Sequence, residues 1–454
     1  MIIIIAGAGR VGGAVASVLS ADAHDITLIE RDPDIISVVS GQQDVICIEG
    51  SATSSSVLRE AGADRADLLI AVTEKDETNM LCGISAKKMG TKHVLARVRD
   101  PEYHSNRDFL RDALGIDSLV NPEYECAAEI SRILRFHGAT RVDTFSKGTL
   151  EIAKCRVFEG DKIDGVPVKD IRRLFGAKVL ISLVEREDGA FIPNGDFIIK
   201  NGDTLSVTGT NAELKKFFTA RHPEQKNVRK ALIMGGGRIS VYLAKILHEC
   251  DIDVTVIEKD YERCRELCDI IPDAHVLYGD ATYSSVFGEE GIDERDAFIA
   301  LTGDDGDNII TSVYAKSLGA GTVITKVMHD HFAEVTASSD IDSVVTIREI
   351  VARHIASYVR ALENSKDSSS IETMIPLAGG LAEAVEIKIG EIDRHTGIML
   401  KNLHFKPGII IAALIRGSEC IIPDGGSSIL LGDHAVIVSA SGTVKCFSDI
   451  FADG

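Results

Sequence analysis

The residues of this sequence best suited to chemistry lie in a glycine-rich stretch close to its start. Gly7, Gly9 and Gly12 have the spacing G-x-G-x-x-G, directly after the apolar run Ile2–Ile5 and directly before a helical pattern of apolar residues. Glycines at these positions permit a tight turn, a close approach of the backbone to a pyrophosphate, and close packing of a helix on a strand. The first amides of that helix would face the phosphates, and the helix dipole favours negative charge there. The stretch therefore predicts a phosphate-binding turn.

An acidic side chain, Glu30, follows at the end of the second predicted strand. A carboxylate at this position accepts hydrogen bonds from a ribose 2′-hydroxyl and repels a 2′-phosphate. The predicted ligand is therefore NAD(H) or an adenine nucleotide such as ATP or ADP, and not NADP(H). The alternative is a glycine turn and a solvated Glu30 that bind no ligand.

The same pattern returns in the second half of the chain. Its turn has the sequence Gly235-Gly236-Gly237-Arg238-Ile239-Ser240, and Glu258 stands where Glu30 stands in the first half. Serine replaces the third glycine, which leaves helix packing feasible but makes the backbone approach less free. Two interpretations stay open for this copy, a second nucleotide site and a degenerate structural repeat.

Further ligand contacts are expected at the carboxyl ends of later strands, where open α/β sheets place their crevice. These candidates are Ser51, Ala52, Thr73 and Arg97 in the first half, and Asp280, Ala281, Thr302 and Lys326 in the second. Arg97 and Lys326 end the same predicted strand in each half and could pair with a diphosphate, or could be exposed cations. The acidic residues that begin at Glu74 are explained more simply as a first helical turn that complements the dipole.

Other clusters do not predict a metal site or an active site. Asp304, Asp305 and Asp307 are a weak candidate for a divalent cation, and the run His329-Asp330-His331 lacks a third spaced ligand. No nucleophile elbow, Ser-Tyr-Lys arrangement or P-loop lysine is present in the sequence. Duplicated nucleotide sites without catalytic residues favour a protein whose conformation reports nucleotide occupancy, and no enzyme activity is expected.

The elements that position these residues occur twice. Landmarks including the glycine turn, the acidic residue and the pairs Ile192-Pro193 and Gly202-Asp203 recur in the same order about 230 residues later. Each half begins with short β-branched runs that alternate with helical stretches, which is typical of βαβ units on a parallel sheet. Each half continues with a strand-rich segment, in which the runs 197–199 and 429–431 are among the predicted strands. The predicted fold class is α/β, with two tandem units that each contain a Rossmann-like parallel-sheet N-lobe and a small α+β C-lobe.

Composition excludes several classes of protein. The 454 residues include 49 Lys and Arg against 69 Asp and Glu, for a formal net charge of −20. This balance argues against nucleic-acid binding and against adsorption to anionic lipid, since both need a basic face. The nine cysteines form no C-x-x-C pair, and no apolar run approaches the length of a spanning helix. We therefore expect a protein of a reducing compartment, and neither a secreted nor a membrane-spanning one.

A set of motifs in a fixed order extends along almost the whole chain. It consists of the turn at 7–13, Glu30, 58–64 (LREAGAD), 71–73 (AVT), 76–79 (DETN), 96–99 (ARVR), 121–123 (NPE), 235–237 (GGG), 279–281 (GDA) and 432–434 (GDH). On these residues the sequence resembles the TrkA family, the peripheral components of the Trk potassium uptake system. The resemblance implies two tandem RCK (KTN) domains, each a Rossmann N-lobe followed by a C-lobe. The lobes are then expected at residues 1–137, 138–222, 229–362 and 371–454.

The resemblance also implies a function. Members of this family are nucleotide-gated regulators attached to the cytoplasmic side of a membrane potassium transporter of the TrkH/TrkG type. They bind NAD(H), with ATP and ADP as further ligands, and assemble as rings, so that four chains would give eight RCK units. The family's nucleotide contacts correspond to Gly7, Ala8, Gly9, Arg10, Val11, Glu30, Thr73, Glu74 and Arg97, and to Gly235, Gly236, Gly237, Arg238, Ile239 and Glu258. The alternatives are a regulator of another channel or efflux system and a soluble NAD-dependent oxidoreductase.

Overall fold

A computed structural model of the chain describes residues 1–22, 24–222, 228–282, 296–329, 332, 336, 339–366, 371–390, 394–440, 444 and 446–452. These residues divide into two units. The first contains residues 1–126 and 346–356, and the second contains residues 127–345 and 357–454.

The first unit contains a six-stranded parallel sheet with the order β3-β2-β1-β4-β5-β6. Its strands are β1 (Ile2–Ala6), β2 (Asp25–Glu30), β3 (Ile46–Glu49), β4 (Leu68–Ala71), β5 (His93–Arg97) and β6 (Ser118–Val120). The helices of this part of the chain are α1 (Arg10–Ala21), α2 (Pro33–Gln42), α3 (Ser55–Glu60), α4 (Asp76–Met89), α5 (Pro101–Ser105), α6 (Arg107–Leu114) and α7 (Pro122–Leu134).

The central strands of this sheet are buried on both faces. Residues 3–6 of β1 and 68–71 of β4 are all completely inaccessible to solvent, which explains why each is a continuous apolar run. Local signals fix the helix ends around the sheet. The Asp32 side chain accepts from the Asp34 amide at the start of α2, and Gly90 ends α4 with a φ of 126°.

The second unit contains three sheets. The first of these is antiparallel, with the order β10-β9-β11-β8-β7. It is formed by β7 (Ala139–Phe145), β8 (Leu150–Arg156), β9 (Leu180–Arg186), β10 (Gly189–Phe191) and β11 (Thr204–Gly209), with helices α8 (Ile171–Phe175) and α9 (Asn211–Arg221).

The next sheet repeats the parallel topology of the first unit, with the order β14-β13-β12-β15-β16-β17. Its strands are β12 (Lys230–Met234), β13 (Asp253–Glu258), β14 (His275–Tyr278), β15 (Asp296–Ala300), β16 (Thr322–Lys326) and β17 (Ser343–Val345). The accompanying helices are α10 (Arg238–His248), α11 (Tyr261–Ile270) and α12 (Asp305–Ser317). Helix α13 (Ile347–Lys366) follows β17, and its residues 347–356 belong to the first unit.

The last sheet is antiparallel, with the order β18-β19-β22-β20-β21. It is formed by β18 (Ile371–Leu377), β19 (Ala382–Lys388), β20 (Ile409–Arg416), β21 (Glu419–Ile421) and β22 (His434–Ser439). One apolar cluster joins the two antiparallel sheets, because Phe145 and Leu183 of the earlier sheet pack with Ile375, Ala412 and Val436 of the later one. The chain is thus an α/β protein with two Rossmann-like parallel lobes and two antiparallel lobes, and the predicted fold class is confirmed.

Two short strand predictions are wrong. In the segment 197–199 only Ile198 pairs, as a single bridge to Pro167, and the segment 429–431 lies outside the strands, beside the bridge between Met399 and Ser428. Ile199 and Ile429 are nevertheless completely buried. The two segments are apolar because they are loops whose isoleucines fill the core, and not because they are strands.

Candidate nucleotide-binding sites

The first candidate site lies where the order of the parallel sheet reverses direction. The chain runs from β1 outwards to β3 and then returns to β4 on the other side of β1, so the loops after β1 and β4 lie side by side. Gly7, directly after β1, has a φ of 100°, and a Cβ atom there would lie 3.1 Å from the Thr73 amide nitrogen. A glycine is therefore required at the point where open α/β sheets bind ligands.

The glycine turn continues into a helix whose first amides receive no side-chain cap. Gly9 is the N-cap of α1 and provides no side-chain cap hydrogen bond, and the first turn carries no acidic residue. Arg10 is exposed there, whereas Val11 is half-buried. Gly12 lies close to the turn, because a Cβ atom on it would be 1.8 Å from the Gly7 carbonyl oxygen. This end of α1 is thus an uncapped helix N-terminus, which is favourable for a phosphate.

Glu30 ties the ends of β1 and β2 together. Its Oε2 accepts from the Ala8 amide at 2.8 Å, and its Oε1 accepts from the amides of Arg31 and Asp32 at 2.6 and 3.2 Å. A carboxylate offers about four lone-pair positions, so these three donors leave capacity for one more hydrogen bond. Glu30 is half-buried, and a ribose hydroxyl could supply that donor.

The residues after β3 border the same crevice. Ser51 Oγ accepts from Arg31 Nη2 at 2.5 Å and lies 2.9 Å from Thr53 Oγ1, whereas Ala52 is 5% exposed. The hydroxyls of this loop are therefore engaged with one another and with the cation that follows Glu30.

An asparagine joins the loops after β4 and β5. Asn79 on α4 is fully buried, and its Oδ1 accepts from the Thr73 amide and hydroxyl at 2.7 and 2.6 Å. Its Nδ2 donates to the Thr73 and Arg97 carbonyls at 3.1 and 3.0 Å. Asn79 is not among the site residues predicted from the sequence, where it appears only within the motif 76–79; the signal for it is its recurrence as Asn308 in the second half.

The Arg97 side chain turns toward this crevice. Its Nη2 donates to the Thr73 carbonyl at 2.5 Å, and within the described residues its Nε has no hydrogen-bond partner. Burial lowers the pKa of the Arg97 guanidinium from its usual value, and Arg99 lowers it further. Arg97 is half-buried, so its interpretation as an exposed cation is wrong, whereas Glu74 is exposed.

The second candidate site has the same construction. Gly235 has a φ of 100°, and Gly237 is an N-cap of α10 without a side-chain hydrogen bond. The Gly236 amide donates to Glu258 Oε2 at 2.7 Å, and the Asp260 amide donates to its Oε1 at 2.9 Å. Two differences are local. Ser240 is buried and donates its hydroxyl to the Gly235 carbonyl, and Ile239 is buried next to the exposed Arg238.

The loops after β14, β15 and β16 complete this second site. Asp280 Oδ1 accepts from the Thr282 amide and hydroxyl at 2.9 and 2.7 Å, and these hydrogen bonds lower the pKa of Asp280. Ala281 is 4% exposed. Asn308 accepts from the Thr302 amide and hydroxyl at 3.0 and 2.7 Å and donates to the Lys326 carbonyl at 3.0 Å. The structure thus brings the predicted residues of each half together around one crevice.

Lys326 differs from Arg97 in its environment. Its side chain is 7% exposed, and its Nζ donates to the Leu301 carbonyl at 3.2 Å. The alternative of an exposed cation is therefore wrong for this residue too.

The weak metal candidates have structural contacts of their own. Asp304 caps α12 by accepting from the Asp307 amide at 2.9 Å, and Asp305 accepts from the amides of Met328 and His329 at 2.9 and 3.1 Å. His329 Nδ1 lies 2.8 Å from Asp305. The residues at positions 330 and 331 lie outside the described residues.

Comparisons with known proteins agree on one family. The TrkA-N domain matches residues 3–122 and 231–347, and the TrkA-C domain matches residues 155–220. The Trk system potassium uptake protein TrkA homolog of Archaeoglobus fulgidus is 33% identical over 99% of this chain and 100% of its own length. The Trk system potassium uptake protein TrkA of Vibrio alginolyticus is 29% identical over 96% of this chain and 95% of its own.

Solved structures share the fold. The GsuK channel bound to NAD has a TM-score of 0.63 at 19% identity and covers 97% of this chain and 76% of its own. The GsuK RCK domain has the same score and identity over 97% of this chain and 92% of its own. The GsuK structure bound to ADP has a TM-score of 0.51 at 16% identity, covering 80% of this chain and 69% of its own.

Within the described residues, every helix is too short or too polar to cross a bilayer.

Proposed function

This chain belongs to the TrkA family, and on that premise we propose that it is a nucleotide-binding regulatory subunit that controls a membrane potassium transporter. The observation that carries the proposal is the duplicated crevice, in which an uncapped helix N-terminus lies beside a glycine turn and a carboxylate in each half of the chain. The sequence contains no Ser-Tyr-Lys arrangement or nucleophile elbow, and the proposal includes no enzyme activity.

The proposed ligands are NAD(H), ATP and ADP, bound at both crevices. Solved relatives of the same fold carry NAD in one case and ADP in another, which supports this ligand class. Glu30 and Glu258 each retain lone-pair capacity for a ribose hydroxyl and would repel the 2′-phosphate of NADP(H).

Each part of the crevice has a role in this proposal. The amides of the turns at 7–12 and 235–239 bind the phosphates, as helix N-termini generally do. In the first site, the unpartnered Nε of Arg97 donates to the diphosphate. The remaining contacts are with Ser51, Ala52, Thr73 and Glu74, and in the second site with Asp280, Ala281, Thr302 and Lys326.

Regulation follows if the conformations of the subunit differ in nucleotide affinity. Asn79 connects the loop after β4 to the end of β5, so a ligand that orders Thr73 also orders the neighbouring strand end. A nucleotide that binds one conformation more tightly shifts the population toward it, and equal affinity shifts nothing. NADH, NAD, ADP and ATP would thus set the open population of the transporter through their affinity differences.

Assembly is the third part of the proposal. Helix α12 exposes Ile310, Val313 and Tyr314 at helical spacing, Leu318 directly after the helix is exposed as well, and the accessible fraction of these four residues is 38–72%. The equivalent helix α4 exposes Leu81. Contiguous apolar surface of this kind is typical of protein contacts. We propose a homotetramer with eight RCK units, attached at the cytoplasmic face of the membrane to a TrkH/TrkG-type transporter. The four lobes of each chain would follow the predicted boundaries 1–137, 138–222, 229–362 and 371–454.

A calorimetric titration of NADH into the purified full-length chain, with NADH absorbance followed in parallel, tests the proposal. Saturable binding without loss of NADH is expected. Two equivalents per chain would mean that the Ser240 copy binds, and one equivalent would mean that it has diverged. Steady oxidation of NADH would indicate an enzyme, and absence of binding by NADH, ATP and ADP alike would contradict the proposal.

A further inference from the structure

Three side chains with metal-binding atoms converge on the last antiparallel sheet, within a lobe that contributes no predicted nucleotide contact. They are Glu372 on β18, Glu386 on β19 and His434 on β22. His434 Nδ1 lies 2.9 Å from a Glu372 oxygen and 3.3 Å from Glu386 Oε1. One donor atom from each residue lies within 4.8 Å of the other two.

The strand register explains why these residues meet. Ile371 pairs with Ile387 and Thr373 with Glu386, so Glu372 is the extra residue of a β-bulge. A bulge of this kind re-aims a side chain. On the other side of β19, Lys388 pairs with His434, so His434 is a diagonal neighbour of Glu386 across the ladder.

Glu386 is anchored from a different lobe. Its side chain is 1% exposed, and it accepts hydrogen bonds from both the amide and the hydroxyl of Ser146, which follows β7. Burying a carboxylate is costly unless it is paired. Ser146 supplies two hydrogen-bond donors. The other group near the Glu386 carboxylate is the His434 imidazole, whose Nδ1 lies 3.3 Å from Glu386 Oε1.

The first half of the chain carries different residues at these positions. The registers of the two sheets place Thr140, Lys154 and Thr204 where the second half has Glu372, Glu386 and His434. Lys154 Nζ pairs there with Glu185 at 2.8 Å, so the first copy supplies its own cation. In the second copy an acid replaces that lysine and a second acid is added, and Lys388, the strand partner of His434, is exposed.

We propose that Glu372, Glu386 and His434 bind a divalent transition-metal ion. One imidazole nitrogen and two carboxylate oxygens form a donor set suited to Zn²⁺ and similar ions, whereas Ca²⁺ and Mg²⁺ prefer oxygen donors alone. Metal–ligand distances of about 2.1 Å put tetrahedral donors about 3.4 Å apart, close to the separation of His434 and Glu386. Glu372 is 43% exposed and is free to move outwards to complete the set, and water takes the fourth position.

The ion would bind next to the contact between the two antiparallel lobes, because Glu386 also accepts from Ser146. The metal ion would therefore be a second ligand of the subunit, bound at a site distinct from the nucleotide crevices. The proposal does not depend on nucleotide binding.

The test is a titration of Co²⁺ into the metal-free full-length chain, followed by visible absorption. One ion per chain is expected, with d–d bands and without the near-ultraviolet band of thiolate ligation. Glu372→Gln and His434→Gln should each weaken binding at least about tenfold, because losing even a hydrogen-bond partner of a metal ligand typically costs about 10- to 100-fold. Both side chains are partly exposed, and thermal unfolding checks that the variants fold.

The matched control is His329→Gln, because His329 Nδ1 lies 2.8 Å from Asp305, and among the described residues this pair is not part of a group of three metal-binding side chains. This variant should bind Co²⁺ as the unaltered chain does. Three results would overturn the proposal: no saturable binding, equal affinity in Glu372→Gln, or a thiolate band that assigns the ion to cysteine. The first two would mean that His434 bridges the carboxylates as an ordinary ion pair.

Discussion

Glu30 accepts from the amides of Ala8, Arg31 and Asp32, and in our proposal its charge separates NAD(H) from NADP(H). Glu30→Gln keeps the shape, removes the charge and replaces one acceptor by a donor. The NADH affinity of the first site should fall at least about tenfold, since hydrogen bonds to charged groups contribute about 1.5–3 kcal/mol. The preference for NADH over NADPH should narrow as well. Calorimetry with both nucleotides measures these changes.

The control for this prediction is Glu49→Gln. Glu49 pairs with Glu30 in the register of β2 and β3 but is exposed. Unaltered NADH affinity is expected in this variant. Equal effects of the two substitutions would mean that Glu30 acts only through the general negative charge of this edge.

Gly12 and Gly13 are adjacent on α1 and differ in their surroundings. A Cβ atom on Gly12 would lie 1.8 Å from the Gly7 carbonyl oxygen, whereas one on Gly13 would lie 3.6 Å from the Ala8 carbonyl oxygen. Gly12→Ala should therefore cost about 1–3 kcal/mol and weaken NADH binding, because the turn must move. Gly13→Ala should be neutral or stabilise by up to about 1 kcal/mol through helix propensity. Thermal unfolding of the two variants, measured side by side, checks the contrast; equal stability would contradict it.

At this scale the sequence predicts residues whose role follows from local spacing. The glycine turn and Glu30 lie within one βαβ unit, so their positions follow from one strand, one helix and the next strand. Asn79 and the cluster around Glu386 depend on contacts between strands that are distant in sequence. Spacing alone gives no signal for such groups, so the sequence predicts no metal site at Glu386.

Helix α4 contacts the crevice loops through Asn79. Its four hydrogen bonds connect the Thr73 loop with the end of β5. Asn79→Ala should lower the free energy of unfolding by about 1–3 kcal/mol, because buried donors and acceptors lose their partners. NADH affinity at the first site should also fall, although Asn79 is not a proposed nucleotide contact. Chemical denaturation and calorimetry measure the two effects.

Glu77→Ala is the control for this element. Glu77 lies on the same helix but is exposed, where it accepts from the Tyr103 hydroxyl at 3.2 Å. Stability and NADH affinity should stay close to those of the unaltered chain. A destabilised Asn79→Ala variant with full NADH affinity would show that the loop after β4 needs no support from α4.

Strand and helix identities in the parallel lobes follow from periodicity, because buried parallel strands are continuous apolar runs flanked by helical patterns. The antiparallel lobes are harder to predict. The apolar runs at 197–199 and 429–431 look like strands, yet they belong to loops whose Ile199 and Ile429 fill the core. The bulge at Glu372 is also invisible in the sequence, because it depends on the register with β19.

At the scale of the whole molecule, the two halves share a fold and differ in chemistry. Both retain the uncapped helix, the acid and the asparagine of the crevice. Ser240, Lys326 and the cluster around Glu386 distinguish the second half. Under our two proposals, the duplicated chain keeps one ligand class in both copies, and the second copy also binds a metal ion.

The net charge of −20 leads to a prediction about the partner. Cytoplasmic loops of membrane transporters carry an excess of Lys and Arg, so a strongly acidic subunit is complementary to that face. Raising the salt from about 0.1 M to about 1 M shortens the Debye length from about 10 Å to about 3 Å. The affinity of the chain for a detergent-solubilised TrkH/TrkG-type transporter should therefore fall. Mass measurements of the chain alone at both salt concentrations show whether its own assembly persists, and unchanged transporter affinity with an intact assembly would mean that apolar contacts dominate the interface.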